Sequence, residues 1–426
     1  MATDIEALSD ENLAWVDRKA FRDPEIYQLE LERIFKRCWL FLGHVSQIPK
    51  AGDFLTNYMG EDPVIVTRGD DGIHAFLNTC RHRGMRVCRA DRGNTRRFSC
   101  PYHAWTYDLT GRLVGVPREK NSYYDDLDKS QFPLIPVPRL ETYKGLIFGS
   151  FDEHAMSLEN YLGDMRFYLD LVLDRRAGGT ELVPGIHKWV MKTNWKLSCD
   201  NNAGDWYHVP VSHGSMARLN ENPNQFEGDE LRKQVCAEPG HTLVMMEEQE
   251  PPEAGTAGII GEYRREIEDE VRKRLGERRR TMRFIAGNVF PNLGWIPGSF
   301  TIRQYHPRGP EHIEVWSYCL VDAEAPQAVK DAMKRAYTVG FGPSGLLEQD
   351  DGENWTGCAQ GGVGAVSGSL TYNYHMGIGH EWAEDDMPGV IGRGNSEVVQ
   401  RGFYRRWRME MMRDDGKPIR LVGNAR

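Results

Sequence analysis

The order of apolar and polar positions divides the 426-residue chain into stretches of different texture. In DPEIYQLELERIFKR, Tyr27, Leu31 and Ile34 recur at helical spacing with charges between them, and residues 1–38 read as a helical segment. From Trp39 the pattern changes. Short β-rich runs such as DPVIVTRGDDGIHAFLNTC are broken by Asp-Asp-Gly, Gly-Asn and Thr-Gly turn signals, so residues 39–155 read as a compact β-domain. Residues 156–426 are mixed. SLENYLGDMRFYLDLVLD opens on a serine cap and continues with apolar residues at helical intervals. The charged stretch GEYRREIEDEVRKRLGERRR, within 256–284, predicts a helix with a solvated or subunit-contact face. SFTIRQYHP and HIEVWSYCLV read as strands, and PQAVKDAMKRAYTVGF and SEVVQRGFYRRWRMEMM as later helices. Helices against an antiparallel sheet make α+β the expected class.

Composition narrows the setting. With 40% hydrophobic and 27% charged residues, the chain has the balance of a soluble globular protein. A formal net charge of -9 argues against nucleic acid or an anionic membrane as main partner. No apolar run approaches the roughly 20 residues of a membrane span. The start, MATDIEALSDENLAW, is acidic and lacks an apolar signal stretch, so a cytoplasmic enzyme is expected. Eight cysteines are scattered along the chain, and a reducing cytosol would not maintain a disulfide framework. Most of them, Cys88 included, read as small buried hydrophobes. Cys80 and Cys100 stand apart because each has a histidine close behind it.

Cys80-Arg81-His82 and Cys100-Pro101-Tyr102-His103 form two Cys/His pairs separated by 17 residues, each where a strand-like run ends in a loop. Two cysteines and two histidines also make a zinc cage, which is the competing reading. Zinc fingers usually draw both cysteines from one loop and both histidines from another. Here each loop offers one of each, which suits a two-iron cluster with unlike ends. Two neutral imidazoles in place of thiolates raise the reduction potential, and the histidine edge becomes an exit for an electron. Gly84 would let the loop backbone approach the cluster sulfides. Tyr102 and Trp105 are expected to shield the cluster from water.

A second constellation lies in DNNAGDWYHVPVSHGS, which brings Asp205, His208 and His213 together in sequence. His208 and His213 are five apart, roughly 140° around a regular helix, and would not meet on a straight one. Pro210 between them is expected to distort or end the helix. The segment LLEQDDGENW adds adjacent Asp350 and Asp351. These make either a solvated turn or the carboxylate of a two-histidine, one-carboxylate iron site with open positions for dioxygen and substrate. Spacing does not choose between the two aspartates.

Taken together, WLFLGHVSQIPKAGDF, CRHRG, CPYHAWTYD, ETYKGLIFGSFD, NWK, GDWYHVPVSH, FGPSGLLEQDDGENW and RGFYRRW resemble the alpha subunits of Rieske non-haem iron ring-hydroxylating dioxygenases, the naphthalene, biphenyl and polycyclic-hydrocarbon group. The resemblance implies a β-rich Rieske domain followed by a catalytic domain with a helix-flanked antiparallel sheet. It implies one [2Fe–2S] cluster on Cys80, His82, Cys100 and His103, and one mononuclear Fe(2+) on His208, His213 and Asp351. Asp205 matches the aspartate that bridges an iron-ligand histidine to a cluster histidine of the neighbouring subunit, and Asn201 matches the family pattern beside it.

Asn202, Val209, Phe341 and Leu347 match positions that line the substrate pocket. Asn202 replaces a common aromatic wall and offers an amide to a substituted aromatic; Pro210 replaces a frequent glycine. The implied activity is that of a terminal oxygenase converting an aromatic ring and O2 to a cis-dihydrodiol, with NAD(P)H electrons arriving through a reductase and ferredoxin. A small beta subunit and an α3 or α3β3 assembly are the implied partners. Monohydroxylation of a salicylate-type acid, or electron transfer without oxygenase activity, are the rival readings.

Overall fold

The computed structural model describes residues 4–219, 231–247 and 258–413. Contacts divide the chain into two units: Phe35–Leu158, and the first residues to Ile34 combined with Glu159–Arg413.

The smaller unit is built from three antiparallel sheets. Its strands are β1 (Leu40–His44), β2 (Asp53–Met59), β3 (Asp62–Arg68), β4 (Ile73–Leu77), β5 (Arg92–Asn94), β6 (Arg97–Ser99), β7 (Thr106–Asp108), β8 (Leu113–Gly115), β9 (Arg139–Tyr143) and β10 (Leu146–Ser150). They pair in the orders β9-β10-β1, β4-β3-β2-β5 and β6-β7-β8. Two of the predicted turn signals fall between strands, Asp70-Asp71-Gly72 linking β3 to β4 and Thr110-Gly111 linking β7 to β8, whereas Gly93-Asn94 lies within β5 and pairs with β2. Phe54, Ile65, Phe76, Phe98, Trp105, Tyr107 and Leu134 form one buried cluster that also takes in Cys80, Cys88 and Cys100. The cysteines are thus anchored in the core while the residues after them enter loops.

The larger unit holds a ten-stranded antiparallel sheet. Its main strands are β11 (His187–Met191), β12 (Arg232–Ala237), β13 (His241–Glu247), β14 (Met282–Val289), β15 (Leu293–Ile296), β16 (Thr301–Pro307), β17 (Ile313–Asp322) and β18 (Met387–Arg393). The central order is β17-β16-β15-β14-β13-β12-β18, with β11 also on β17 and short strands Thr180–Leu182 and Trp382–Glu384 at the two ends. Every residue of β16 is buried, which is why its sequence lacks strict alternation. Six helices matter for the site: α1 (Pro24–Glu30), α2 (Trp195–Asn202), α3 (Val209–Ser212), α4 (Gln327–Phe341), α5 (Glu348–Gly361) and α6 (Val398–Met412). The α+β expectation therefore holds.

The termini of these helices follow their sequence signals. Asp23 caps α1 by accepting from Glu25 N at 2.7 Å, with Pro24 in the first turn. The helix then widens into a π turn over Leu31–Phe35, so the predicted continuous helix is regular for only part of its length. Asn194 caps α2, accepting from Lys196 N at 3.0 Å. One buried carboxylate, Glu30, joins three helices: it accepts from Trp195 Nε1 at 2.8 Å, Lys196 Nζ at 2.5 Å and Trp407 Nε1 at 2.7 Å. The segment after Ser157 is two helices, Leu158–Leu162 and Met165–Leu173, broken at Gly163. The charged stretch also forms two, Gly258–Glu266 and Glu268–Arg279, and its residues 256 and 257 lie outside the described residues. Among the described residues no helix is long and apolar enough to cross a membrane.

Candidate metal centres and active site

In the smaller unit two loops of the same build carry the Cys/His pairs. Cys80 N donates to Met85 O and Cys100 N to Trp105 O, both at 2.8 Å. Gly84 N returns to Cys80 O and Ala104 N to Cys100 O, both at 2.9 Å. Gly84 and Ala104 occupy matching left-handed positions, φ +71° and +56°. Gly84 therefore serves the loop's conformation; a Cβ there would find only Thr79 Cγ2, at 3.9 Å.

The two loops bring their histidines together. His82 Nδ1 lies 3.1 Å from His103 Nδ1, while both cysteines are buried and free of disulfides. Burial holds the His82 imidazole neutral, helped by the charges of His103 and Arg83, and burial pushes the Cys80 thiol up. Trp105 is buried and stacks on His82 with ring centres 5.0 Å apart, as a shield should. Tyr102 sits against His103 but is 58% exposed, so it gives that edge little cover. Sequence reasoning missed Tyr107. Its hydroxyl lies 3.4 Å from Cys80 Sγ and accepts from Arg81 N at 3.0 Å. The signal was its place at the centre of β7, two residues after Trp105. Two buried thiols and two imidazoles, each pair contributed by both loops, fit the donor set of a mixed-ligand [2Fe–2S] cluster.

In the larger unit, α2 ends at Asn202, and Gly204 with φ +126° turns the chain out before Asp205. Pro210 does not end a helix here. It stands in the first turn of the four-residue α3, where a missing N–H breaks no bond. His208 and His213 flank that short helix, with His213 N donating to Val209 O at 3.0 Å, and their ring centres come within 5.2 Å. Asp350 and Asp351 are not a solvated turn. Both lie in the first turn of α5, with Asp351 only 5% exposed.

The hydrogen-bond pattern separates these two aspartates. His208 turns Nδ1 to Asp205 Oδ2 at 3.2 Å, and the Asn201 amide lies 3.1 Å from the same nitrogen. His213 turns Nδ1 to Asp350 Oδ2 at 3.1 Å. The opposite nitrogens both face one atom: His208 Nε2 is 3.2 Å and His213 Nε2 3.3 Å from Asp351 Oδ1. A carboxylate on each Nδ1 orients the ring and turns each Nε2 inwards, the nitrogen a metal would use. Among the described residues Asp351 Oδ1 is buried without a hydrogen-bond partner of good geometry, and three electron-rich atoms converge there. The three ligand atoms lie within 4.8 Å of one another, which fits a cation. Burial opposes a charged His208, yet Asp205 and Asp351 outweigh it and push its pKa to about 10. The site thus attracts positive charge strongly. Burial also opposes ionisation of Asp351, but His208 and His213 hold it far below the usual carboxylate range.

The pocket candidates fall into two groups and a neighbour. Phe341 and Leu347 sit at opposite ends of the turn between α4 and α5, tied by Leu347 N to Gly340 O at 3.0 Å. Asn202 is buried against the sheet: its Nδ2 donates to Gly287 O at 2.6 Å and its Oδ1 accepts from Tyr305 OH at 3.3 Å. Its amide is therefore already engaged within the protein. Val209, partly buried, follows His208 directly.

Comparison with known proteins now bears on this geometry. Residues 158–413 match the ring hydroxylating alpha subunit (catalytic domain) family, and residues 38–143 the Rieske [2Fe-2S] domain. The chain belongs to the ring-hydroxylating dioxygenase alpha-subunit family. It is 42% identical over 425 residues to the biphenyl 2,3-dioxygenase subunit alpha of Rhodococcus jostii, covering 95% of this chain and 90% of that one. The benzene 1,2-dioxygenase subunit alpha of Pseudomonas putida is 39% identical, with 99% and 96% covered. A crystal structure of naphthalene 1,2-dioxygenase from Rhodococcus sp. bound to indole superposes with a TM-score of 0.86 at 40% identity, covering 95% of each chain. A quaternary ammonium Rieske monooxygenase, at 18% identity and TM-score 0.71, shares the fold alone. This family member is a Rieske non-haem iron aromatic-ring dioxygenase, and its cofactors are one [2Fe–2S] cluster and one mononuclear iron.

Proposed function

We propose that this chain is the terminal oxygenase subunit that adds both atoms of O2 to adjacent carbons of an aromatic hydrocarbon, giving a cis-dihydrodiol. Two electrons and two protons complete the balance, the electrons coming from NAD(P)H through a reductase and a ferredoxin. The reading rests on one observation above the others: His208 Nε2 and His213 Nε2 converge on Asp351 Oδ1, each imidazole fixed from behind by a carboxylate. Three protein ligands leave open positions, as an oxygenase requires and a closed structural site does not. When bound, the cluster supplies electrons one at a time and the iron supplies the chemistry of dioxygen.

The chain's own residues do the rest. Cys80, His82, Cys100 and His103 hold the cluster in a Rieske domain of residues 39–155. His208, His213 and Asp351 hold the iron in a catalytic domain of residues 156–426. Asp205 keeps His208 oriented and, in an α3 or α3β3 assembly, links it to a cluster histidine of the neighbouring subunit. Asn201 supports the same imidazole. Phe341, Leu347 and Val209 form an apolar slot that orients the ring and excludes water. Asn202 shapes that slot through its bonds to the sheet. The names of the relatives, subunit alpha and large oxygenase component, support a small beta subunit as partner.

The test combines metal analysis with product analysis. Anaerobically purified protein is expected to be red-brown, with acid-labile sulfide and about three irons per chain. With a reductase, a ferredoxin, NADH and biphenyl under 18O2, both labels are expected in one vicinal diol. A single label would establish monohydroxylation instead, and a colourless zinc protein would overturn the reading.

A further inference from the structure

One fully buried ion pair has no part in the chemistry above. Arg303 in β16 and Glu348, the first residue of α5, are 0% and 2% exposed and pair through Nη2 and Oε2. Burying such a pair costs more desolvation than a surface pair, and apolar residues of the same volume often serve stability as well. Compensation here is incomplete: among the described residues Arg303 Nε and Nη1 and Glu348 Oε1 have no hydrogen-bond partner. Stability alone is a poor account of the pair.

Its position suggests another. Arg303 Nη2 also donates to Phe341 O at 3.3 Å, at the last residue of α4, and the guanidinium carbon lies 4.9 Å from the Phe341 ring centre. Glu348 stands three residues before Asp351, on the same face of α5. The intervening turn is closed by Leu346 N to Val339 O at 2.9 Å and Leu347 N to Gly340 O at 3.0 Å, and Asp351 N follows to Leu347 O at 3.3 Å. Arg303 itself is held in an interior strand, opposite Gly294 on β15 and Ser317 on β17. A single guanidinium therefore grips the end of one helix and the start of the next from a rigid sheet.

We infer that the Arg303–Glu348 pair is a positioning element that fixes the α4–α5 turn, setting the Asp351 carboxylate against His208 and His213 and the Phe341 ring against the substrate. It deepens the reading of His208, His213 and Asp351 as the iron site and rests on it. The physical reason is directionality. The Nη2 of a planar guanidinium holds its two N–H directions at a fixed angle, one towards Glu348 and one towards Phe341 O, whereas apolar side chains of equal volume fix only distance.

The test uses the holoenzyme with Arg303→Met and Glu348→Leu combined, which removes both charges and leaves none buried alone. Three quantities are read: acid-labile sulfide per chain, the rate at which a chelator removes the mononuclear iron, and the ratio of 2,3- to 3,4-diol formed from biphenyl. Sulfide is expected to stay at the wild-type level. Iron loss is expected to be about tenfold faster, the scale of losing a partner that supports a metal ligand. The diol ratio shifts as the Phe341 wall relaxes. Arg303→Lys, which keeps the charge without the planar guanidinium, recovers part of the iron retention and not the diol ratio.

Wild-type iron retention with a wild-type diol ratio in the folded double variant would overturn the inference. Should the double variant fail to fold, Arg303→Lys decides on the same two readings, unchanged values again overturning it. If the wild-type chain holds iron yet makes no diol, the proposed function fails, while the chelator rate still decides this inference.

Discussion

Asp200 illustrates how much a single buried group can govern. It sits on α2 beside Asn201, and its Oδ2 accepts from Tyr374 OH at 2.6 Å and Tyr404 OH at 2.9 Å. Burial raises its pKa; the two tyrosine bonds work against that rise, Asp205 and Glu397 add to it, and the result is about 7. In the unfolded chain an aspartate titrates at about 3.9. Between those values the folded state binds a proton that the unfolded state does not. Stability contributed by this group therefore falls as pH rises from about 4 to about 7, and is level above that. Urea unfolding of wild type and Asp200→Asn across this range is expected to show the slope shrinking in the variant. An identical pH dependence in both would remove Asp200 as its source. No local sequence feature marked this residue, because its tyrosine partners lie more than 170 positions away in sequence.

At the scale of elements, the active site depends on where helices stop. The break after α2 is made by Gly204, whose φ of +126° is unfavourable for other residues. A Cβ there would meet Val244 N at 2.7 Å and Leu243 C at 2.8 Å, both backbone atoms of β13 that have little room to yield. Gly204→Ala is expected to destabilise the protein by ~2 kcal/mol or more through strain and overpacking together. It should also lower iron per chain, measured against sulfide as the internal reference, because Asp205 and His208 follow directly. A variant with wild-type melting and wild-type iron would show that this turn tolerates rearrangement. Much at this scale was legible: α4, α6, β16 and β17 lie over the stretches that read as helices and strands. Helix continuity was less so. The π turn after α1 and the break at Gly163 answer to packing that a periodic pattern does not contain. Pro210 distorts or ends a helix when it stands inside one, yet at the start of a helix the same residue is favourable.

For the whole molecule, the division into two units has a functional consequence under the proposed α3 or α3β3 assembly. If electrons cross from the cluster of one subunit to the iron of the next, two inactive chains should complement each other. Co-expressed Cys100→Ser chains, lacking a cluster, and Asp351→Ala chains, lacking iron, are expected to form mixed oligomers with product formation well above either parent. The check is diol yield from purified mixed oligomers carrying two different affinity tags. Activity no higher than the parents, with mixing verified, would favour a path within one chain.

What the sequence determined by itself was the chemistry available. Metal-binding loops are local, so two Cys/His pairs and a pair of close histidines can be read directly, and the run of ordered motifs pointed to the family. What it left open was which distant group meets them. Asp350 and Asp351 are adjacent in sequence and about 100° apart around a helix. Only the rotation of α5 against the rest of its unit brings Asp351 to both Nε2 atoms and Asp350 to His213 Nδ1. The same holds for Tyr107 at Cys80 and for Arg303 beneath Phe341. Local periodicity records which face of an element is buried, while the partner it meets is decided when helices and sheet close on one another.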